Sequence, residues 1–146
     1  MLTRIIRFIK YNPEKKLSLL CWYYSAIYRY QILNKKSKDL HKEWGEEGKE
    51  SPEKDTPENY KYALKISGLV NEICSKTSWE SKCLVRALTA QTLLKREKIH
   101  STLYLGCKKD EKDKMIAHAW IRCGEFYVTG GNGSNDGYVI VDQFFT

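Results

Sequence analysis

The chain lacks what most stapled or metal-held folds depend on. Its 146 residues include five cysteines, an odd number, and no two stand in a C-x-x-C spacing. That spacing would be needed for a zinc knuckle or a dithiol redox motif. Histidine is scarce, at three residues, as are proline (three) and methionine (two), and no internal repeat is visible. No apolar run is long enough for a bilayer: Leu17 to Ile27 is too short, and Arg29 interrupts its continuation. Met1 to Lys10 alternates Arg4, Arg7 and Lys10 with apolar residues and has no small-residue cleavage site, so no secretory signal is expected. Free thiols without a framework point to a reducing compartment, the cytoplasm, and to a domain that needs no disulfide. A chain of this length can bury a core without staples and fits one domain.

What is present is basic charge and helical patterning. The net charge is +7 and the pI about 9.1. Arg4, Arg7, Lys10, Lys15 and Lys16 outweigh Glu14 at the start. A basic end of this kind solubilises, or it receives an acidic peptide, a membrane surface or nucleic acid. Ile5 to Lys10 reads as a short helix or strand. Asn12-Pro13-Glu14 is a helix start, with Asn as N-cap and Pro at the first position. That helix should run to about Leu33, with Leu17, Leu20, Cys21, Tyr24, Ile27, Tyr28 and Gln31 on one stripe. The stripe suits packing on its own domain; a membrane-surface helix is the lesser reading, for Trp22, Tyr23, Tyr28 and Tyr30. Residues 34–58 mix Lys and Glu with Gly45, Gly48, Pro52 and Pro57, and read as a linker or mobile loop with a helical turn near Leu40 to Trp44.

The division expected is therefore a helical region and polar linker over 1–58 and a core over 59–146, packed as one domain. Thr56-Pro57-Glu58 starts a helix ending near Ser75, with Tyr62, Ile66, Leu69, Val70 and Ile73 on its apolar face. From Cys83 to Arg96 apolar residues circle most of the axis, so that helix should be buried on nearly all sides. Four strands follow: Ser101 to Cys107, Met115 to Cys123, Phe126 to Thr129 and Tyr138 to Phe145, with Gly124-Glu125 as a hairpin turn and a glycine-rich loop over 130–137.

The chemistry is expected from Cys83 and His118. His41 falls in the linker and His100 in a turn, whereas His118 sits inside a strand between Ala117 and Ala119. A lone strand histidine is usually structural, and a buried cysteine usually acts as a small hydrophobe. Their order is what raises them: cysteine at a helix start, then two strands, with histidine in the second. If Ser81 caps the helix, the Cys83 thiol meets the positive end of the helix dipole, which favours the thiolate that attacks carbonyls. If Thr77 and Glu80 form the cap, Cys83 lies a turn further in and the dipole argument weakens. Arg86, three residues past Cys83, either pairs within the fold or touches substrate. Trp120 shares the His118 face of the strand and either walls the cleft or fills core.

Three blocks, Ser81-Lys82-Cys83-Leu84-Val85-Arg86-Ala87-Leu88, Ala117-His118-Ala119-Trp120-Ile121 and Val128-Thr129-Gly130-Gly131, together resemble the stand-alone leader peptidase of lasso-peptide biosynthesis, over about Trp79 to Phe144. The resemblance implies an α+β, transglutaminase-like or papain-like core: a central helix packed on an antiparallel sheet, with helices before it. It implies a cysteine peptidase that removes the leader from a ribosomally made precursor, with Cys83 as nucleophile, His118 as general base and acid, and Ser81, Arg86 and Trp120 near substrate. A separate leader-recognition protein would present the leader, and an ATP-dependent macrocyclase would act on the released core peptide. No metal or cofactor is implied. Many relatives carry an Asp about a dozen residues after the histidine, where it would orient the ring. Here that position falls nearest Thr129; Asp142, Glu125, Asp136 or a backbone carbonyl are the substitutes.

Other classes stay open. A transglutaminase would use the same pair with an amine acceptor. A zinc site from Cys107, His118 and Cys123 is disfavoured, because His118 and Cys123 are five apart on a strand and point to opposite faces. A nucleic-acid binder fits the charge but shows no motif. A catalytically impaired, peptide-binding scaffold of the same pathway fits the missing acid.

Overall fold

In the computed structural model, residues 1–78 and 82–146 are described, those of 8–11 by their backbone only. The order is α1 (Leu2–Tyr11), α2 (Pro13–Asn34), α3 (Ser37–His41), β1 (Glu46–Glu47), α4 (Pro57–Lys76), α5 (Cys83–Arg96), β2 (Thr102–Lys109), β3 (Met115–Cys123), β4 (Phe126–Thr129) and β5 (Val139–Phe145). The strands form one antiparallel five-stranded sheet in the order β1-β5-β2-β3-β4. The fold is α+β, helices on a sheet, consistent with a transglutaminase-like core.

Local chemistry explains the helix starts. The Asn12 side chain accepts from the Lys15 N–H at 3.2 Å and Thr56 accepts from the Asn59 N–H at 3.2 Å, each with proline at the next position. The core lies between these helices and one sheet face. Ile66 and Val70 of α4, Leu88, Leu93 and Leu94 of α5, and Leu103, Ile121 and Phe144 of the sheet are all buried in it. Leu17, Leu20, Cys21, Tyr24 and Tyr28 bring the expected stripe of α2 onto the same core, and Tyr28 hydrogen-bonds Thr92 across to α5. Helix α5 is buried at Val85, Ala87 to Gln91, Leu93 and Leu94, as its all-round apolar pattern predicts.

The polar stretch over 34–58 departs from expectation. It does not behave as a loose linker but is docked along the sheet. Leu40 and Trp44 are buried, the Trp44 carbonyl accepts from Gln91 Nε2 at 3.0 Å, and β1 pairs with the end of β5. The anchor is Arg122, a nearly buried cation on β3. Its guanidinium donates to the carbonyls of Ser51 (3.0 Å), Pro52 (3.2 Å) and Gly124 (2.7 Å), and to the Tyr104 hydroxyl (2.9 Å). A buried guanidinium needs its donors satisfied, and carbonyls of an irregular segment need donors when they leave water. Each requirement meets the other here. Solvating composition therefore did not decide the segment's fate; a cation in a distant strand did.

Candidate active site

Cys83 is the first residue of α5, with Lys82 at the N-cap; the Arg86 N–H bonds back to the Lys82 carbonyl at 3.0 Å. The thiol therefore sits in the first turn, where backbone N–H groups lack intrahelical partners. Of the two caps the sequence left open, Thr77 is not at this helix start: it follows α4 as its C-cap, and its hydroxyl donates to the Cys74 carbonyl. Ser81, the other expected contributor, lies outside the described residues.

His118 lies on β3, opposite Gly106 of β2. Strand β4 pairs with Ile121, Arg122 and Cys123 and then leaves the sheet, so among the described residues the His118 part of β3 has no strand on that side. Around this open edge Asn71, Lys82, Cys83, Arg86, His118 and Gly130 line a cleft of about 450 Å³. The structure thus brings Cys83, His118 and Arg86 together from α5 and β3. Arg86 donates to the Asn71 side-chain oxygen at 3.3 Å, tying α5 to α4 at the cleft rim.

The group that meets the imidazole is the Gly130 carbonyl, 2.7 Å from His118 Nε2. A carbonyl only accepts, so Nε2 carries the hydrogen and the neutral ring keeps its lone pair on Nδ1. Gly130 is needed for this approach. Its φ is +78°, and a Cβ there would stand 2.6 Å from the Ala119 carbonyl oxygen and 2.7 Å from Trp120 Cβ. The chain can hug β3 after Thr129, and turn its carbonyl to the ring, because there is no side chain at 130.

Neither Thr129 nor Asp142 occupies that place. Thr129 pairs with Ile121, on the opposite face of β3 from His118, and its buried hydroxyl has no hydrogen-bond partner. Asp142 on β5 stands opposite Leu105, which stands opposite Ala119, so its register also puts it on the other face; its carboxylate accepts from the Gln143 N–H at 2.8 Å. Directly paired residues share a face and neighbours along a strand alternate, so one residue of register separates both from the imidazole. Trp120 does share the His118 face, but it is fully buried and does not line the cleft. It lies beneath, with its ring centroid 5.7 Å from His118 and 5.5 Å from Tyr104. Three cleft residues were not among the expected site residues: Gly130, whose carbonyl accepts from the ring, Asn71 on the rim, and Lys82. The glycine pair directly after a strand was the available signal for Gly130, and the place beside Cys83 for Lys82; nothing marked Asn71.

The remaining cysteines stand apart. Cys21, Cys74 and Cys123 are buried and Cys107 is half-buried on β2. The Cys21 thiol is held protonated mainly by its hydrogen bond with Cys74, and by burial. Burial, and then the Asp55 carboxylate beside it, push the Cys123 thiol up to about 12. Among the described residues no helix is long and apolar enough to cross a membrane.

The sequence matches a family model, the transglutaminase-like superfamily, over residues 34–142. No curated protein and no solved structure matches it. The matched span takes in the docked segment as well as the helix and strands that carry Cys83 and His118. On that span, with an antiparallel sheet, a central helix beginning at the cysteine and a strand histidine facing the same cleft, the chain belongs to the transglutaminase-like superfamily.

Proposed function

We propose that this chain is a cysteine peptidase that removes the leader from a ribosomally made lasso-peptide precursor. The observation that carries the peptidase reading is the shared cleft of Cys83 and His118, with the histidine tautomer set by the Gly130 carbonyl. The lasso-peptide assignment is supported by the three motif blocks alone.

Nδ1 of His118 takes the Cys83 proton, and the thiolate sulfur adds to the scissile carbonyl carbon. The electron pair moves to the carbonyl oxygen, which N–H groups of the first turn of α5 stabilise. When the intermediate collapses, the C–N bond breaks and the imidazolium gives its proton to the departing amine. Water, deprotonated by the same nitrogen, then releases the leader acid from the thioester. The Gly130 carbonyl holds the ring as a carboxylate would, but with a partial charge, so its bond to the imidazolium is the weaker of the two. Because the carbonyl still fixes the ring, the missing acid does not by itself make the chain a scaffold without catalysis. Partners in this reading are the precursor leader, a separate leader-recognition protein and an ATP-dependent macrocyclase acting on the product, all in the cytoplasm.

Mass spectrometry of a precursor incubated with the chain and its recognition protein is the test. Wild type should release the leader, and Cys83→Ala should lower the rate by at least ~1000-fold while circular dichroism stays unchanged. Cleavage retained by Cys83→Ala ends the reading. Transfer of the acyl group to an added amine in preference to water would identify a transglutaminase instead.

A further inference from the structure

Among the described residues the His118 ring is hydrogen-bonded at Nε2 only, by a neutral carbonyl, so something else must set the plane of the ring. Two aromatic rings do so. The Tyr138 centroid lies 5.0 Å from that of His118 at 32° between planes, and Trp120 lies 5.7 Å away at 24°. Trp120 and Tyr138 are themselves 6.4 Å apart, which closes a triangle of rings. Tyr138 comes from just before β5 and reaches across β2 at Gly106, the residue opposite His118. A Cβ at Gly106 would stand 2.8 Å from the Trp120 ring and 3.1 Å from Tyr138 Cβ, so the triangle requires glycine there.

Tyr138 is held in turn. The Lys108 ammonium lies 4.3 Å from its ring centroid and donates to the Asp136 carbonyl at 2.7 Å. The Tyr138 N–H bonds the Gly133 carbonyl at 3.0 Å. The ring, through Lys108, and the Tyr138 backbone are thus both tied to the loop that also supplies Gly130.

We propose that Tyr138 is a positioning residue, whose ring, locked by Lys108 and resting on Trp120, keeps the His118 imidazole in the plane that joins Gly130 to Cys83. Aromatic faces within about 6 Å also favour a cationic ring, which supports the imidazolium where relatives use a carboxylate. The proposal rests on His118 being the base. It assigns the ring of Tyr138 the role and leaves its hydroxyl none.

Two readouts test it on the 146-residue chain. In steady-state cleavage of the precursor, Tyr138→Leu should lower kcat roughly 10- to 100-fold with KM nearly unchanged, as expected for a displaced catalytic group. Tyr138→Phe should restore kcat to within about threefold of wild type. Nitrogen-15 spectra of the His118 ring, recorded on the Cys83→Ala chain, read the clamp without any turnover. One neutral tautomer, hydrogen on Nε2, is expected, and Tyr138→Leu should give an average of both. If Tyr138→Leu misfolds, Lys108→Met, which leaves the ring but frees it, should move the spectrum in the same direction. A single tautomer in the Leu or Met variant, or an equal fall of kcat in Phe and Leu, overturns the proposal. Full cleavage by His118→Ala would instead overturn the peptidase reading, with the ring spectrum still reporting on the clamp.

Discussion

His118 Nε2 and the Gly130 carbonyl oxygen are 2.7 Å apart, and that contact determines which imidazole nitrogen is left for chemistry. It joins a residue inside β3 to the residue directly after β4, at the point where β4 leaves the sheet. Withdrawing this carbonyl would remove the bond that sets the tautomer, while Trp120 and Tyr138 still flank the ring.

Substituting Gly130 by alanine tests the contact directly. The positive φ and the short approach to Ala119 should cost roughly 1–3 kcal/mol of stability. The cleavage rate at a temperature where the variant is folded should fall further than the folded fraction accounts for. A rate that tracks the folded fraction alone would mean that another group orients the ring.

Thiol alkylation should follow the burial of the cysteines. Iodoacetamide at neutral pH should label Cys83 first, then Cys107, both half-buried, while Cys21, Cys74 and Cys123 resist until the chain unfolds. Peptide mass mapping against time reads the order. Labelling of Cys107 ahead of Cys83 would count against an activated nucleophile.

Alkaline pH should weaken the fold through Cys123. Burial and Asp55 raise this thiol from 9.0 to about 12 in the native state. The unfolded chain then loses its proton first, at about 9, while the native chain still keeps it. The stabilisation is full below pH 9 and is lost as pH rises towards 12. Urea midpoints at pH 8 and pH 10.5 should fall more for wild type than for Cys123→Ala, and equal falls would show that the thiol is not the cause.

Arg122→Leu should release the docked segment. Four acceptors lose a buried cationic donor, for a cost of roughly 2–4 kcal/mol. Hydrogen exchange should quicken first over residues 46–56. Unchanged protection there would place the anchor elsewhere, in Trp44 and Leu40.

The sequence by itself determined α2, α4 and α5 and pointed to a helix-start cysteine and a strand histidine as a pair, while α1 stayed open between helix and strand. These follow from local rules: Asn12 and Thr56 cap with proline beside them, apolar residues recur at helical spacing, and strands alternate between charged turns. The helix start at Cys83 was legible for the same reason, although what caps it there was not. Three things were left to the tertiary structure. A charged, glycine-containing stretch became part of the sheet's cover, because Arg122, some seventy residues away, needed its carbonyls. Thr129 and Asp142 turned away from His118, because register, which one residue reverses, is set by pairing and not by distance along the chain. The orienting group turned out to be a main-chain carbonyl, which every residue carries and composition therefore cannot signal. Only the path of the chain past Thr129, possible with glycine at 130, aims it at the imidazole.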